Sequence, residues 1–251
     1  MTARLRICTY NIHKGFSQFN RRMVVHELRD RLRTLDADLV FLQEVQGLHL
    51  GHRQRFADWP AQPQHEFLAH ERWQQAAYGG NAVYDHGHHG NAILSRHHIL
   101  SQANQDVSAH RFESRGLLHC EIAVPGLNEA VHCVCVHLGL TGGGRRRQLD
   151  ALAERMERLT GEDAPLIIAG DFNDWRNRAD RLLAERLGVH EVFGADRGRP
   201  ARSFPSALPF FRLDRIYVRG FDVRKAEVHS GAPWAQISDH AALTAELEIG
   251  P

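Results

Sequence analysis

Five short polar clusters stand against apolar runs: Thr9-Tyr10-Asn11, Gln43-Glu44, Gly170-Asp171-Phe172-Asn173-Asp174, Leu213-Asp214-Arg215 and Ser238-Asp239-His240. Residues 5–8, 39–42 and 166–169, which precede the first three, have the composition of buried strands. The last two flank strand-like segments at 216–218 and 241–247. Carboxylates and amides at strand ends converge on one edge of a sheet. An oxygen-rich set of that kind suits Mg²⁺ or Mn²⁺, which prefer carboxylate, carbonyl and water ligands. A neighbouring His adds an acid-base or charge-stabilising partner. The chemistry implied is hydrolysis of a phosphate ester.

Asp171 and Asn173 are two apart, so in an extended segment they share one face. The carboxylate can orient or deprotonate a water, and the amide can hold a phosphate oxygen without adding repulsion. Gly-Asp and Asn-Asp are also turn formers, but a turn alone explains neither the apolar run at 166–169 nor the intervening Phe172. Glu44 ends an apolar run beside Gln43, where a carboxylate is costly to bury without a cation or donor. In Asp239-His240 the carboxylate can orient the imidazole and raise its pKa. Neighbours on a strand point apart, however, which leaves open that Asp239 serves a metal while another group orients His240. The stretch His86-Gly87-His88-His89-Gly90 lacks the Cys or carboxylate that would complete a zinc set and reads better as a substrate-facing loop. Arg145-Arg146-Arg147 reads as a solvated helix face, or as a contact to a flanking phosphate that would weaken with salt.

These residues need a scaffold. Alternation at 4–11 predicts a first strand, and Val25, Leu28, Leu32 and Leu35 predict an amphipathic helix over 21–36. A buried strand follows at 39–45, then helix and loop over 46–60. Weak periodicity over 61–89 reads as short strands joined by long loops. Strands are expected at 92–94, 99–107, 117–124 and 130–138, the last two joined as an antiparallel pair by Pro125-Gly126. Helices at 145–159 and 177–187 flank the strand at 166–169. The remainder reads as mostly β, with a loop around 194–212. Many strands with about three helices suit two packed sheets with helices outside.

The 251 residues carry no Ser-, Pro- or Gly-rich linker, so one domain spanning 1–251 is expected, and 43% hydrophobic residues suffice for a large core. No apolar run approaches the ~20 residues of a membrane helix, and the N-terminus lacks a signal peptide's apolar stretch. The expectation is a soluble, cytoplasmic protein with no stable membrane insertion. Cys8, Cys120, Cys133 and Cys135 sit in strand-like segments without a CxxC and read as reduced core residues. A net charge of +1 argues against nucleic-acid binding by bulk electrostatics, without excluding a local basic groove.

The segments TYN, LQEV, GNAILSR, VHLGL, GDFND, LDRIYV and SDH, running in order from residue 6 to residue 247, resemble the endonuclease/exonuclease/phosphatase superfamily. That group includes pancreatic deoxyribonuclease, abasic-site endonucleases, neutral sphingomyelinases and inositol polyphosphate 5-phosphatases. The resemblance implies an α+β fold, a four-layer α/β/β/α sandwich of two mainly antiparallel sheets with outer helices, and a site at one end. It implies Glu44 as main metal ligand, Asn11 hydrogen-bonding near the metal, and Asp239 polarising His240 or joining the metal site. It gives Asp171 and Asn173 the roles read above, His240 a contact to the scissile phosphate, and His137 a contact to the phosphate or leaving group. Asp214 would support the His or the phosphate pocket, and Asn91 would lie on the substrate side. Arg115 reads equally as a guanidinium for phosphate and as a surface salt-bridge partner.

The reading is a Mg²⁺- or Mn²⁺-dependent phosphoester hydrolase, a phosphodiesterase in which an activated water attacks in line. The partner is a phosphoester: nucleic acid, phospholipid or small phosphodiester. No protein partner is inferable. One alternative is a nuclease, abasic-site or non-specific, supported by the Arg-rich helix start and by Trp73, Trp175 and Trp234. GNAILSR and VHLGL look more like the sphingomyelinase-like branch, but a lipid substrate would need a docking route other than an insertion hairpin. A second alternative is a non-catalytic binding protein, against which the full set Glu44, Asp171, Asn173, Asp239 and His240 argues.

Overall fold

The computed structural model describes residues 4–194 and 198–249. One six-stranded sheet holds β1 (Arg4–Asn11), β2 (Leu39–His49), β3 (Gln75–Tyr84), β4 (Gly87–Ser95), β11 (Phe221–His229) and β12 (Ala242–Ile249), in the order β11-β12-β1-β2-β4-β3. The other holds β5 (His98–Asp106), β6 (Gly116–Ala123), β7 (Val131–His137), β8 (Leu166–Asp171), β9 (His190–Glu191) and β10 (Asp214–Arg219), in the order β5-β6-β7-β8-β10-β9. Among the described residues β1–β2 and β7–β8 pair in parallel. The other pairs are antiparallel.

Strand alternation sorts the side chains into layers. Leu5 and Ile7 of β1 face a core shared with Phe41, Ile93, Cys133, Ile167 and Ile216, residues of both sheets. Cys8 and Tyr10, one step out of phase, pack instead with Leu28 and Leu32 of α1 (Val25–Thr34) and Leu68 of α3 (Gln64–Ala69). On the second sheet Val134, Val136 and Ile168 lie under Leu152 and Met156 of α4 (Gly142–Leu159) and Leu183 of α5 (Ala179–Leu187). Both sheets are thus covered on both faces, giving the α/β/β/α sandwich. The four cysteines are free and buried in these cores.

Residues 61–89 depart from the expectation. They form α3 and most of the long β3–β4 hairpin rather than short strands between loops. β3 is an edge strand with Gly79-Gly80-Asn81 at its centre and half-exposed faces, so it carries no clean alternation. Five α-helices are described: α2 (Leu50–Arg55) falls within the stretch read as helix and loop, while α3, with six residues and under two turns, is too short to show a period.

In the parallel β7–β8 pair Gly170 is level with Val136, one residue before Asp171. Its φ is +150°, and a Cβ there would lie 1.9 Å from the Val136 carbonyl oxygen, so only glycine fits. Gly170→Ala is expected to lower stability by at least about 2 kcal/mol, or about 4 °C in melting temperature. A thermal melt within a degree of wild type would contradict this close approach.

Candidate active site

The inter-sheet core ends in a polar layer. Asn11, Gln43 and Asn91 continue the inward-facing rows of β1, β2 and β4, while His137, Asp171 and Asp214 continue those of β7, β8 and β10. Asn11 is level with Gln43. His137 and Asp214 are level with Asp171 on either side of it. All six are buried. The same alternation that fills the core with Ile and Leu therefore brings six polar side chains together at one end.

Asp171 is the centre of this layer. Its Oδ2 accepts a hydrogen bond from Asn11 Nδ2 (3.2 Å), and its Oδ1 accepts from the Asn173 backbone N–H (2.9 Å). The same Oδ2 lies 3.6 Å from His137 Nε2 and 3.8 Å from His240 Nε2. Both distances exceed hydrogen-bond length, leaving space for a bridging oxygen. His240 donates Nδ1–H to Asp214 Oδ2 at 2.9 Å, so Asp214 is the group that orients it. Burial alone would lower the His240 pKa, but the charge and hydrogen bond of Asp214 prevail and raise it to about 10. Burial raises Asp171 to about 6, with His240 opposing. Burial, then the charges of Arg115 and His240, hold His137 well below the usual histidine value. Near pH 7 one carboxylate thus faces a cationic and a neutral imidazole.

Glu44 reaches its place by a β-bulge. Leu42 pairs with Ala92 and Val45 with Gly90, so two residues of β2 oppose one of β4. Glu44 has φ +56°, a left-handed conformation rare outside glycine. Regular alternation would turn it outward with Leu42. Instead it lies 3.8 Å from Lys14 Nζ. His13, Lys14 and Asn173 also have positive φ, and such strain concentrates at functional sites. His13 Nδ1 is 3.3 Å from Asp239 Oδ1. Hydrogen bonding to Asp239 raises the His13 pKa. Burial would raise Asp239, but His13 and then His240 leave it low. Asp239 and His240 thus serve different partners.

Other expected residues sit around this centre. Asn173 Nδ2 donates to the Leu138 carbonyl at 2.9 Å. Asn91 donates to the Gly116 and Cys135 carbonyls across the sheets, leaving its buried Oδ1 without a partner. Arg115 Nε donates to the Leu138 carbonyl, and its charge acts on His137. Arg145 is neither a solvated helix residue nor free for a phosphate: it is buried and donates to the carbonyls of Gly139 and Leu140, fixing the loop after His137. Asp174 accepts from the Ala179 N–H at the start of α5. Of the tryptophans offered for base stacking, Trp73 and Trp234 are buried in the outer core, and Trp175 remains half-exposed near the site.

Two residues were not singled out from the sequence, His13 and Lys14, and a third, His89, was read as part of a substrate-facing loop but lies in β4. His13 and Lys14 lie just past the Asn11 cluster, and their left-handed turn has no composition signal. His89 borders two cavities, of about 400 Å³ beside Arg115 and Phe112 and about 350 Å³ beside Lys14 and His52. Burial, then Lys14, lowers its pKa to about 4.

The donor set fits a hard divalent cation. Buried oxygens Asp214 Oδ1, Gln43 Oε1 and Asn91 Oδ1 have no hydrogen-bond partner, and Glu44, next to Gln43, and Asp239, next to His240, add carboxylates. One cluster of potential ligand atoms within 4.8 Å of one another is Asp171, Asp214 and His240. A histidine with a pKa of about 10 is an imidazolium at neutral pH, which makes this cluster a charge-paired acid-base unit. A second cluster, His119, Glu121 and His132, lies farther down β6 and β7. Its ring centres are 5.3 Å apart, about two ring radii plus the 3.0 Å Nε2–Nδ1 contact. The nitrogens therefore point straight at each other as a hydrogen-bonded pair.

Asp214→Asn is expected to drop the His240 pKa by at least about two units, seen by nitrogen-detected NMR titration of the imidazole. Because the folded pKa lies above the unfolded one, the stability it contributes is complete below about 6.5 and lost as pH rises through about 10. The melting-temperature gap between wild type and Asp214→Asn should therefore close in that range. An unchanged His240 titration would disprove the pairing.

The profile of the Endonuclease/Exonuclease/phosphatase family matches residues 8–240. The chain is 47% identical to the Escherichia coli (strain K12) protein YbhP over 244 residues, covering 97% of this chain and 96% of that one. Its fold matches a Beutenbergia cavernae endonuclease/exonuclease/phosphatase with TM-score 0.75 at 19% identity, covering 98% of this chain and 72% of that one. It matches a Bacteroides thetaiotaomicron mannosyl-6-phosphatase with TM-score 0.72 at 16% identity, covering 97% and 99%. With the profile spanning nearly every strand that carries the polar layer, the chain belongs to the endonuclease/exonuclease/phosphatase family.

Proposed function

We propose that this protein is a divalent-metal-dependent phosphodiesterase in which a water activated at Asp171 attacks phosphorus in line. The observation that carries the reading is the opposite tuning of two imidazoles about one carboxylate oxygen: His240 raised, His137 lowered, both just beyond hydrogen-bond reach of Asp171 Oδ2. Groups whose pKa values are pushed apart in one site mark acid and base roles.

Asp171 is a carboxylate above about pH 6 and can take a proton from water at Oδ2, while Asn11 and the Asn173 N–H hold its orientation. His240, fixed through Nδ1 by Asp214, presents Nε2–H to a phosphate oxygen and offsets charge developing there. His137, neutral and on the opposite side of Asp171, is placed to donate an N–H hydrogen bond to the leaving oxygen, which takes its proton from solvent. Asn173 and Asn91 supply amides, and Arg115 a guanidinium, toward the substrate. Glu44, with Asn11 and Asp239, would hold Mg²⁺ or Mn²⁺, and Lys14 is the counter-charge now beside Glu44. The bound ion would neutralise phosphate charge and polarise the phosphoryl oxygen. A diester is favoured over a monoester because the cavities that share His89, one reaching Arg115 and the other Lys14, leave room for a second ester group beside the site.

Asp171→Asn and His240→Ala are each expected to cut hydrolysis of bis(p-nitrophenyl) phosphate by at least about 100-fold with the fold intact. Glu44→Gln should abolish its stimulation by Mg²⁺. Near-wild-type turnover in the first two variants would sink the assignment. The pH profile of kcat/KM should fall on the acid side as Asp171 protonates, at or below about 6, and on the basic side as His240 loses its proton near about 10. An acid limb that persists in Asp171→Asn would assign it to another group.

A further inference from the structure

The loops that leave or enter the polar layer share an unusual surface. They follow Asn11, precede Gly116, follow His137, follow Asp171 and precede Asp214, so all five lie at the end of the sandwich that holds the site. Each carries an exposed apolar tip: Phe19 (71% exposed), Phe112 (81%), Leu140 (64%), Trp175 (45%) and Leu208 (81%) with Phe210 (64%). The tips are contiguous over part of the rim. Phe112 and Leu140 border one cavity, Leu140 and Trp175 a second, and Trp175 touches Phe211, which touches Phe210. A large apolar patch of this kind marks an interaction surface.

Three of the tips are capped by arginine. The Arg21 guanidinium stands 5.3 Å from the Phe19 ring centre, Arg111 4.4 Å from Phe112, and Arg202 5.7 Å from Phe210. Segments 12–24, 107–115, 138–147, 172–178 and 198–213 hold thirteen Lys and Arg, of which Arg145 is turned inward onto backbone carbonyls, against two acidic residues, Glu113 and Asp174. Those two are engaged internally, Glu113 with Ala109 N–H and Gln148, Asp174 with Ala179 N–H. A chain of net charge +1 has therefore gathered its positive charge around the mouth of the site.

We infer that this rim docks the protein reversibly onto an anionic phospholipid surface, so that the site meets a phosphoester at headgroup level. Aromatic and leucine side chains would enter the boundary between headgroups and acyl chains, and the arginines would pair with lipid phosphates. No described helix is long and apolar enough to cross a membrane, which agrees with peripheral attachment. A single nucleic-acid strand would use basic and aromatic groups along one track. It would have no use for the aliphatic Leu140 and Leu208, which stand out on separate loops. The inference deepens the proposed phosphoester hydrolysis by naming the surroundings of its substrate, and its test needs no turnover.

The experiment is co-sedimentation of the full chain with phosphatidylcholine vesicles, with and without phosphatidylglycerol, at low and high salt. Wild type should bind the anionic vesicles, less at high salt, and bind phosphatidylcholine alone weakly. Phe112→Ser with Phe210→Ser, and separately Arg111→Glu with Arg202→Glu, should each weaken binding about tenfold or more. Leu159→Ser, at the far end of α4 and also half-exposed, should bind as wild type does. Circular dichroism melts verify that the variants are folded. Failure of wild type to bind anionic vesicles, or undiminished binding by the two double variants, would overturn the inference. So would fluorescence anisotropy showing tight single-stranded DNA binding that the Phe variants abolish while vesicles are ignored. Loss of vesicle binding alongside intact Asp171-dependent hydrolysis would remove the docking surface alone. Vesicle binding without any hydrolysis would remove the catalytic assignment alone.

Discussion

Two buried carboxylates in one layer repel each other unless a cation stands between them, and in this protein the cation is an imidazolium. Asp171 and Asp214 lie in register on adjacent strands. His240 donates to one at 2.9 Å and stands 3.8 Å from the other. The trio makes that layer tolerable to bury. Its charge also sets the neighbours: His240 helps keep His137 neutral and opposes the rise of the Asp171 pKa. The remaining polar groups, Asn11 and Asn173 above all, hold Asp171 from the sides that the histidines leave free.

The position of this trio follows from the strands. Because side chains alternate, Ile167 and Ala169 face the other sheet and Asp171 must as well. The same holds for Ile216 and Asp214, Cys135 and His137, and Ile7 and Asn11. The site is therefore the last layer of the core, and the packing beneath it fixes its floor. The loops above are held separately: Arg145 and Gln148 of α4 clamp the segment after His137, and Asp174 ties the segment after Asp171 to α5.

Much of this was legible in the sequence because it depends on local pattern. Polar clusters at the ends of apolar runs, period-two strands and the long amphipathic helices all leave a signature within a few residues. What was not legible depends on geometry without composition. Glu44 could be suspected as a site carboxylate, but the bulge that aims it shows only in the pairing of β2 with β4. The turn at His13 and Lys14 carries no Gly or Pro at those positions. Arg145 read as a surface charge because its neighbours are Arg146 and Arg147, yet it turns inward to backbone carbonyls. The edge strand β3 lacks the buried face that writes alternation into a sequence. The rim was hidden in another way: its arginines come from five distant segments, and the whole-chain charge averages them away.

The bulge at Gln43-Glu44 sets up a difference between parts of the chain that can change length and parts that cannot. β2 pairs with β4 on both sides of it, from Leu39 to Leu42 and again from Val45 to His49. The extra residue is therefore trapped between two stretches of ladder. Loss of one residue here would remove this bulge and turn Glu44 outward with Leu42, away from the polar layer. The rim loops are fixed at their bases by side-chain hydrogen bonds, not by a ladder, so their tips can change length without shifting a register. Variation among such chains should accordingly collect in the rim, while the strand geometry beneath the polar layer stays counted to the residue.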